Sequence, residues 1–256
     1  MMRIENFRKK MKSGQRLIGT FVKTPASELV EILAKTELDF ICLDAEHAPF
    51  DRARLDTCLA MGRALDFPVL VRVATGARVE FLNALDCGAL GIVVPHVDSA
   101  EKAAAVAKAA RFGHGGRGYA GSTRWAGFST QTMPDLLQRS WSETVVIVQI
   151  EAPEAVEASD AIAGTDGVDG LFLGPADLSV ALGKTDQNAP ELISAMQTVG
   201  RAAKAHEKAY MTFTPDAGKA AEWAAHGFDM FLVASDHGWV ALGANATVDE
   251  LRESRR

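Results

Sequence analysis

Cysteine is scarce in this chain. Cys42, Cys58 and Cys87 are the only three in 256 residues, an odd set with no C-x-x-C spacing. A disulfide framework is set aside, and buried thiols in a reducing cytoplasm are the expectation. A basic excess is also missing: 27 Lys and Arg stand against 33 Asp and Glu, a net charge of −6. The one basic run is the short Arg255-Arg256 end, which argues against a nucleic-acid surface. No apolar stretch approaches the length that spans a membrane. The start of the chain, from Met1 to Lys10, lacks the apolar h-region of a signal peptide. A cytoplasmic protein that binds neither nucleic acid nor membrane is the reading so far.

What is present is core-forming material. Apolar residues make up 48% of the chain and charged residues an ordinary 23%. A chain of 256 residues fits one large α/β barrel or two ordinary domains. The stretch Val145-Val146-Ile147-Val148-Gln149-Ile150-Glu151 is a run of mostly β-branched residues that ends in a carboxylate. A second run, Gly170-Leu171-Phe172-Leu173-Gly174-Pro175-Ala176-Asp177, ends the same way. Both read as buried parallel strands, apolar throughout rather than alternating. Glu151 and Asp177 then meet at one rim of one sheet, and two converging carboxylates suit a hard divalent cation.

The same strand signal recurs at residues 17–22, 40–44, 68–73, 91–95, 210–214 and 230–234. Helical patterns follow most of these runs, with Asp98-Ser99 as a cap signal before Glu101. Eight β-then-α units without a linker or composition break predict a closed (β/α)₈ TIM barrel and a single domain over 1–256. Residues 112–134 interrupt the series as a long Gly-rich segment, expected to be a mobile or pocket-lining loop. It contains Gly113-His114-Gly115-Gly116-Arg117-Gly118, a formal match to G-x-G-x-x-G. No strand precedes that string and no helix opens after it, so the dinucleotide reading is rejected.

Chemistry in a barrel sits at the C-terminal ends of the strands. Those ends carry Asp44, Glu46 and His47, Arg72, His96, Glu151, Asp177, Asp216, and Asp236 with His237. A lone loop His or Asp among them is more readily a solvated charge than a site residue. Arg72 interrupts an apolar run, and a buried guanidinium requires an anionic partner, either a substrate oxyanion or a rim acid.

Taken together, Asp44-Ala45-Glu46-His47-Ala48-Pro49, Val71-Arg72-Val73, Gln149-Ile150-Glu151 and Gly174-Pro175-Ala176-Asp177-Leu178 resemble the HpcH/HpaI family of metal-dependent pyruvate aldolases. The likeness runs from about Ile18 to about Gly243. The resemblance implies Glu151 and Asp177 as ligands of Mg²⁺, Mn²⁺ or Co²⁺, with water and a 2-oxo acid completing the octahedron. It implies that Arg72 holds the keto oxygen and that His47 removes the 4-hydroxyl proton. Asp86, supplied by a neighbouring subunit, is implied to orient or charge-pair that histidine. Gln149 and Asp44 are implied as supports near metal-bound water, and backbone amides around Gly174, Pro175, Ala176 and Asp177 as the seat of the pyruvate carboxylate. Phe213 is a pocket-wall candidate, and Trp125 either another wall or plain packing. The family also implies a homo-oligomer, a hexamer with its last helix exchanged between subunits.

The residue types fit that chemistry. Cleavage of the C3–C4 bond of a 4-hydroxy-2-oxo acid leaves an enolate, whose charge a cation and a guanidinium stabilise, while histidine titrates near neutrality. The expected reaction is reversible cleavage to pyruvate, or a related 2-oxo acid such as hydroxypyruvate, and an aldehyde. The Schiff-base route needs a lysine; strands two to six have none, and Lys23 and Lys208 only flank strands one and seven. Alternatives are a lyase acting on an acyl-CoA such as citramalyl- or malyl-CoA, a phosphate-binding barrel, and a non-catalytic barrel scaffold. The phosphate reading expects Gly-rich loops after strands seven and eight, where acids stand instead. The scaffold reading expects loss of His47, Arg72, Glu151 or Asp177, and all four are present.

Overall fold

Short apolar segments with no polar face are stable as strands only when a parallel sheet is covered on both sides. That is where these segments go. In a computed structural model, which describes residues 3–254, eight parallel strands close into a barrel in sequence order. They are β1 (Leu17–Val22), β2 (Phe40–Asp44), β3 (Val69–Arg72), β4 (Gly91–Val94), β5 (Val145–Ile150), β6 (Gly170–Leu173), β7 (Ala209–Thr214) and β8 (Met230–Ser235). β8 pairs with β1 to seal the barrel. Met1, Met2 and the basic pair Arg255-Arg256 lie outside the described residues.

Twelve α-helices occur among the described residues: α1 (Arg3–Lys12), α2 (Ser27–Ala34), α3 (Arg52–Ala64), α4 (Arg78–Asp86), α5 (Ala100–Ala109), α6 (Met133–Ser142), α7 (Pro153–Glu157), α8 (Ser159–Ala163), α9 (Pro175–Ala181), α10 (Pro190–Ala205), α11 (Ala217–Trp223) and α12 (Asp236–Glu253). Ser99 caps α5 by accepting from the Lys102 backbone N–H, as its sequence signal predicts. The helical segment after β5 is split into two short helices, α7 and α8.

Two apolar layers result. Leu17, Phe21, Phe40, Cys42, Leu70, Val93, Ile147, Phe172, Met211 and Leu232 fill the barrel interior. Ile4, Phe7 and Met11 of α1 belong to that same cluster, so α1 plugs the barrel, with the Phe7 ring 5.5 Å from Phe40. The outer faces of the strands pack against the surrounding helices in a second, larger cluster. All three cysteines are free and buried.

Two segments behave differently from the regular pattern. Residues 112–134 are anchored and stay outside the central cavity. Trp125 is 1% exposed and packs edge-on to Phe112 at 5.6 Å, with Ala126 and Leu136 completing a satellite core. Trp125 is therefore packing, and no helix opens at Gly118, in keeping with rejection of the dinucleotide reading. α12 buries only Asp236 and exposes Val240, Leu242, Val248 and Leu251.

Candidate active site

β2 and β3 run in register with Asp44 opposite Arg72. Nε and Nη2 of the buried guanidinium donate to the two Asp44 oxygens at 3.0 and 2.8 Å. This is the bidentate geometry in which arginine and carboxylate bind best. Burial alone raises the Asp44 carboxyl, but the Arg72 hydrogen bonds and charge, the His47 backbone N–H and Lys23 outweigh it and hold Asp44 below its ordinary range. Burial likewise disfavours the Arg72 cation, and Asp44 and Glu46 more than restore it. Cζ of Arg72 also lies 4.4 Å from the Phe21 ring centroid, a cation–π contact.

The turn after β2 brings Glu46 and His47 to the rim. The His47 backbone N–H donates to Asp44 Oδ1 at 3.1 Å, and its Nε2 lies 3.8 Å from Glu46 Oε2. Glu46 also stands 3.3 Å from Arg72 Nε and 3.7 Å from His96 Nε2. Burial raises its carboxyl, and the negative charge of Glu151 pushes in the same direction against Arg72 and the histidines.

Glu151 follows β5 and is buried. Its Oε1 accepts from the His96 backbone N–H at 2.7 Å, and its Oε2 accepts from Gln149 Nε2. Gly174 makes room there, since a Cβ at that position would come 3.5 Å from Glu151 Oε2 and 3.3 Å from Gln149 Nε2. Asp177 lies in the first turn of α9, exposed. The Glu151–Asp177 pair offers oxygen donors only, which suits a hard divalent cation that keeps waters or substrate oxygens as its other ligands. No group of three or more His, Cys, Asp or Glu able to hold a metal occurs among the described residues.

A cavity of about 260 Å³ lies where these elements converge. His47, Arg72, Gln149, Gly174, Pro175, Ala176, Asp177 and Phe213 line it, together with Phe21, Lys23, Phe172 and Ser235. A larger groove of about 550 Å³ runs between α4 and α5 and holds none of this set.

Asp44 and Asp86 are not among the residues that line this cavity. Asp44 sits on Arg72 and Lys23, a support of the guanidinium. Asp86, near the end of α4, borders a separate hollow with Arg52, Asp56 and Arg124. Its near cation is Arg117, 3.9 Å away, so one chain alone does not bring Asp86 to His47. Burial raises the Asp86 carboxyl against Arg117 and Arg52. Asp216 serves as the N-cap of α11, and Asp236 accepts from the backbone N–H groups of Lys23 and Thr24. Sequence reasoning missed Lys23 as a cavity residue; its Nζ stands 3.5 Å from Asp44 Oδ2. The signal was its place directly after β1, at the same barrel mouth as the other rim residues.

A family profile described as HpcH/HpaI aldolase/citrate lyase matches residues 17–241. Among characterised relatives, a pyruvate aldolase of Rhizobium etli is 32% identical over 245 residues, covering 95% of this chain and 96% of that protein. A 4-hydroxy-2-oxovalerate aldolase of Rhodococcus jostii is 34% identical over 238 residues, with 91% and 90% covered. An HpcH/HpaI aldolase/citrate lyase family protein from Burkholderia cenocepacia superposes with a TM-score of 0.91 at 30% identity, over 97% of this chain and 99% of that one. A closed barrel with its polar groups gathered at one mouth, and a match over nearly its whole length, make this chain a member of the HpcH/HpaI aldolase family and a carbon–carbon lyase.

Proposed function

We propose that this protein is a divalent-metal-dependent aldolase that cleaves 4-hydroxy-2-oxo acids reversibly to pyruvate, or a close 2-oxo acid, and an aldehyde. The observation that carries the reading is the convergence on one cavity of His47, Arg72, Gln149 and Asp177, with Glu151 directly behind. A Mg²⁺, Mn²⁺ or Co²⁺ ion held by Glu151 and Asp177 supplies Lewis-acid charge to the 2-oxo group.

The chain's own residues supply the rest. Arg72 is already oriented by Asp44, so its charge meets the developing enolate oxygen without reorganisation. His47, exposed at the cavity wall, takes the 4-hydroxyl proton as the C3–C4 bond breaks. The bonding pair passes to C3, the C4 oxygen becomes the aldehyde carbonyl, and protonation at C3 completes pyruvate. Backbone groups around Gly174, Pro175, Ala176 and Asp177 seat the carboxylate, and Phe213 bounds the cavity.

The reading extends to assembly. The exposed apolar side chains of α12 are covered in a homo-oligomer by exchange of that helix, and a neighbouring copy delivers Asp86 to His47. The function is tested by following pyruvate release from a panel of 4-hydroxy-2-oxo acids with EDTA-stripped protein, before and after metal is restored. Release that appears only with metal supports it; equal release without metal contradicts it.

A further inference from the structure

Asp236 is a rim residue to which the aldolase reading gives no task, and it is the one buried residue of α12. Its carboxylate reaches back to the end of β1. There Oδ1 accepts from the Lys23 backbone N–H at 2.8 Å and Oδ2 from the Thr24 backbone N–H at 2.9 Å. Both are hydrogen bonds to a charged acceptor, the stronger kind. The junction between β8 and α12 is constrained as well. Ala234 has a backbone φ of +54°, in the left-handed region that non-glycine residues rarely occupy. The Thr20 hydroxyl on β1 donates to the Val233 carbonyl oxygen at 2.8 Å. Ser235 lines the cavity and caps α12 by accepting from the Gly238 backbone N–H at 3.4 Å. Backbone strain of this kind persists where the surroundings over-determine it, and it gathers at functional sites.

What the clasp holds is Lys23. Its ammonium lines the cavity, 3.5 Å from Asp44 Oδ2. Asp44 already accepts two hydrogen bonds from Arg72 and one from the His47 backbone N–H. At 3.5 Å the ammonium is a charged neighbour of Asp44 and keeps its donors for an anion in the cavity. Lysine sits on a flexible four-carbon stem, so the place of its backbone decides which anion it can reach. We infer that Asp236 is a positioning residue that fixes the backbone of Lys23, keeps its ammonium beside the Asp44–Arg72 pair, and so ties the first turn of α12 to binding of the 2-oxo acid. The inference rests on the reading of this cavity as the seat of that acid.

The test follows exchange of the pyruvate methyl protons for deuterium by NMR, over a range of pyruvate concentrations, with full-length protein and Mg²⁺. Asp236→Ala is expected to raise the half-saturating pyruvate concentration about 10-fold, the order of one hydrogen bond to a charged group, with the maximal rate within about twofold of wild type. Lys23→Met is expected to show the same split. In the Lys23→Met background Asp236→Ala is expected to add nothing, because the two residues act through one contact. Asp236→Asn, which keeps one acceptor oxygen, carries the same cycle if Asp236→Ala does not fold. An unchanged half-saturating concentration in the folded Asp236 variant overturns the inference. So does an effect that multiplies in the double variant, because Asp236 then acts by a route other than Lys23. A loss confined to the maximal rate overturns it too. Failure of the aldolase reading has its own signature: wild-type protein that exchanges no proton under Mg²⁺, Mn²⁺ or Co²⁺ removes both claims together.

Discussion

Asp44 and Arg72 face each other across β2 and β3, and the carboxylate takes two hydrogen bonds from the guanidinium at 3.0 and 2.8 Å. Removing one member leaves the other buried with only its more distant partner, Glu46 at 3.3 Å from Arg72 Nε or Lys23 at 3.5 Å from Asp44 Oδ2, and breaking a buried pair typically costs about 3–5 kcal/mol. Arg72→Ala and Asp44→Ala are therefore expected to lower the urea midpoint strongly. The double variant costs less than the sum, because the second loss finds no partner left to orphan. Equilibrium unfolding of the three variants checks this; additive losses contradict the pairing.

Asp177 is exposed, whereas Glu151 is buried. Asp177→Asn is expected to change stability by no more than about 0.5 kcal/mol, as exposed sites usually do. Its activity with saturating metal is expected to fall at least about 100-fold if it holds the cation. Full activity in that variant removes Asp177 from the metal site.

His47 and Arg72 serve different steps. His47→Ala is expected to slow aldol cleavage by about 10²–10⁴-fold, the usual value of a positioned base, while Mn²⁺ affinity stays close to wild type. Arg72→Ala is expected to suppress both cleavage and pyruvate enolisation. Parallel cleavage assays and Mn²⁺ titrations separate the two; equal loss of metal affinity in His47→Ala contradicts its assignment as base.

Lys23 lines the cavity, so a Schiff-base route has an amine within the site. The metal-dependent account expects no covalent trapping by borohydride with pyruvate. It expects Lys23→Arg to keep measurable turnover, because the cation beside Asp44 is preserved. A mass increase of the reduced pyruvyl adduct on Lys23 contradicts the account.

Asp229, the residue before β8, has its carboxyl raised by burial from 3.8 to about 6, against hydrogen bonds that include the Tyr210 backbone N–H. A raised carboxyl binds its proton more tightly in the folded state. That stability is present at low pH and is lost as pH rises between about 4 and 6. Asp229→Asn keeps an acceptor without the titration. Its advantage over wild type is expected to grow by about 1–2 kcal/mol from pH 4 to pH 7, discounted for partial exposure. A difference that does not vary with pH contradicts the burial argument.

The barrel was legible because its strands are apolar on both faces, as in Val145–Ile150, where every residue is buried. Helices outside that alternation were harder. The short α9 hides in the Gly-Pro-Ala-Asp-Leu string that also reads as a site motif, and α1 carries its core residues Ile4, Phe7 and Met11 among charges. α12 has no one-sided apolar pattern because, apart from Asp236, none of it is buried in this chain. At the site, Arg72 announced itself as a charge inside an apolar run, and Asp44 proved to be the rim acid that pairs with it. Lys23 was less legible, since it lies just past a strand end.

The measurement that bears most directly on the central claim is proton–deuterium exchange at the pyruvate methyl group, followed by NMR. It requires no knowledge of the aldehyde. Protein stripped with EDTA is compared with the same protein resupplied with Mg²⁺, Mn²⁺ or Co²⁺. The account predicts exchange that appears only with metal and vanishes in Arg72→Ala. Exchange that persists in EDTA, or that fails under every metal, contradicts it.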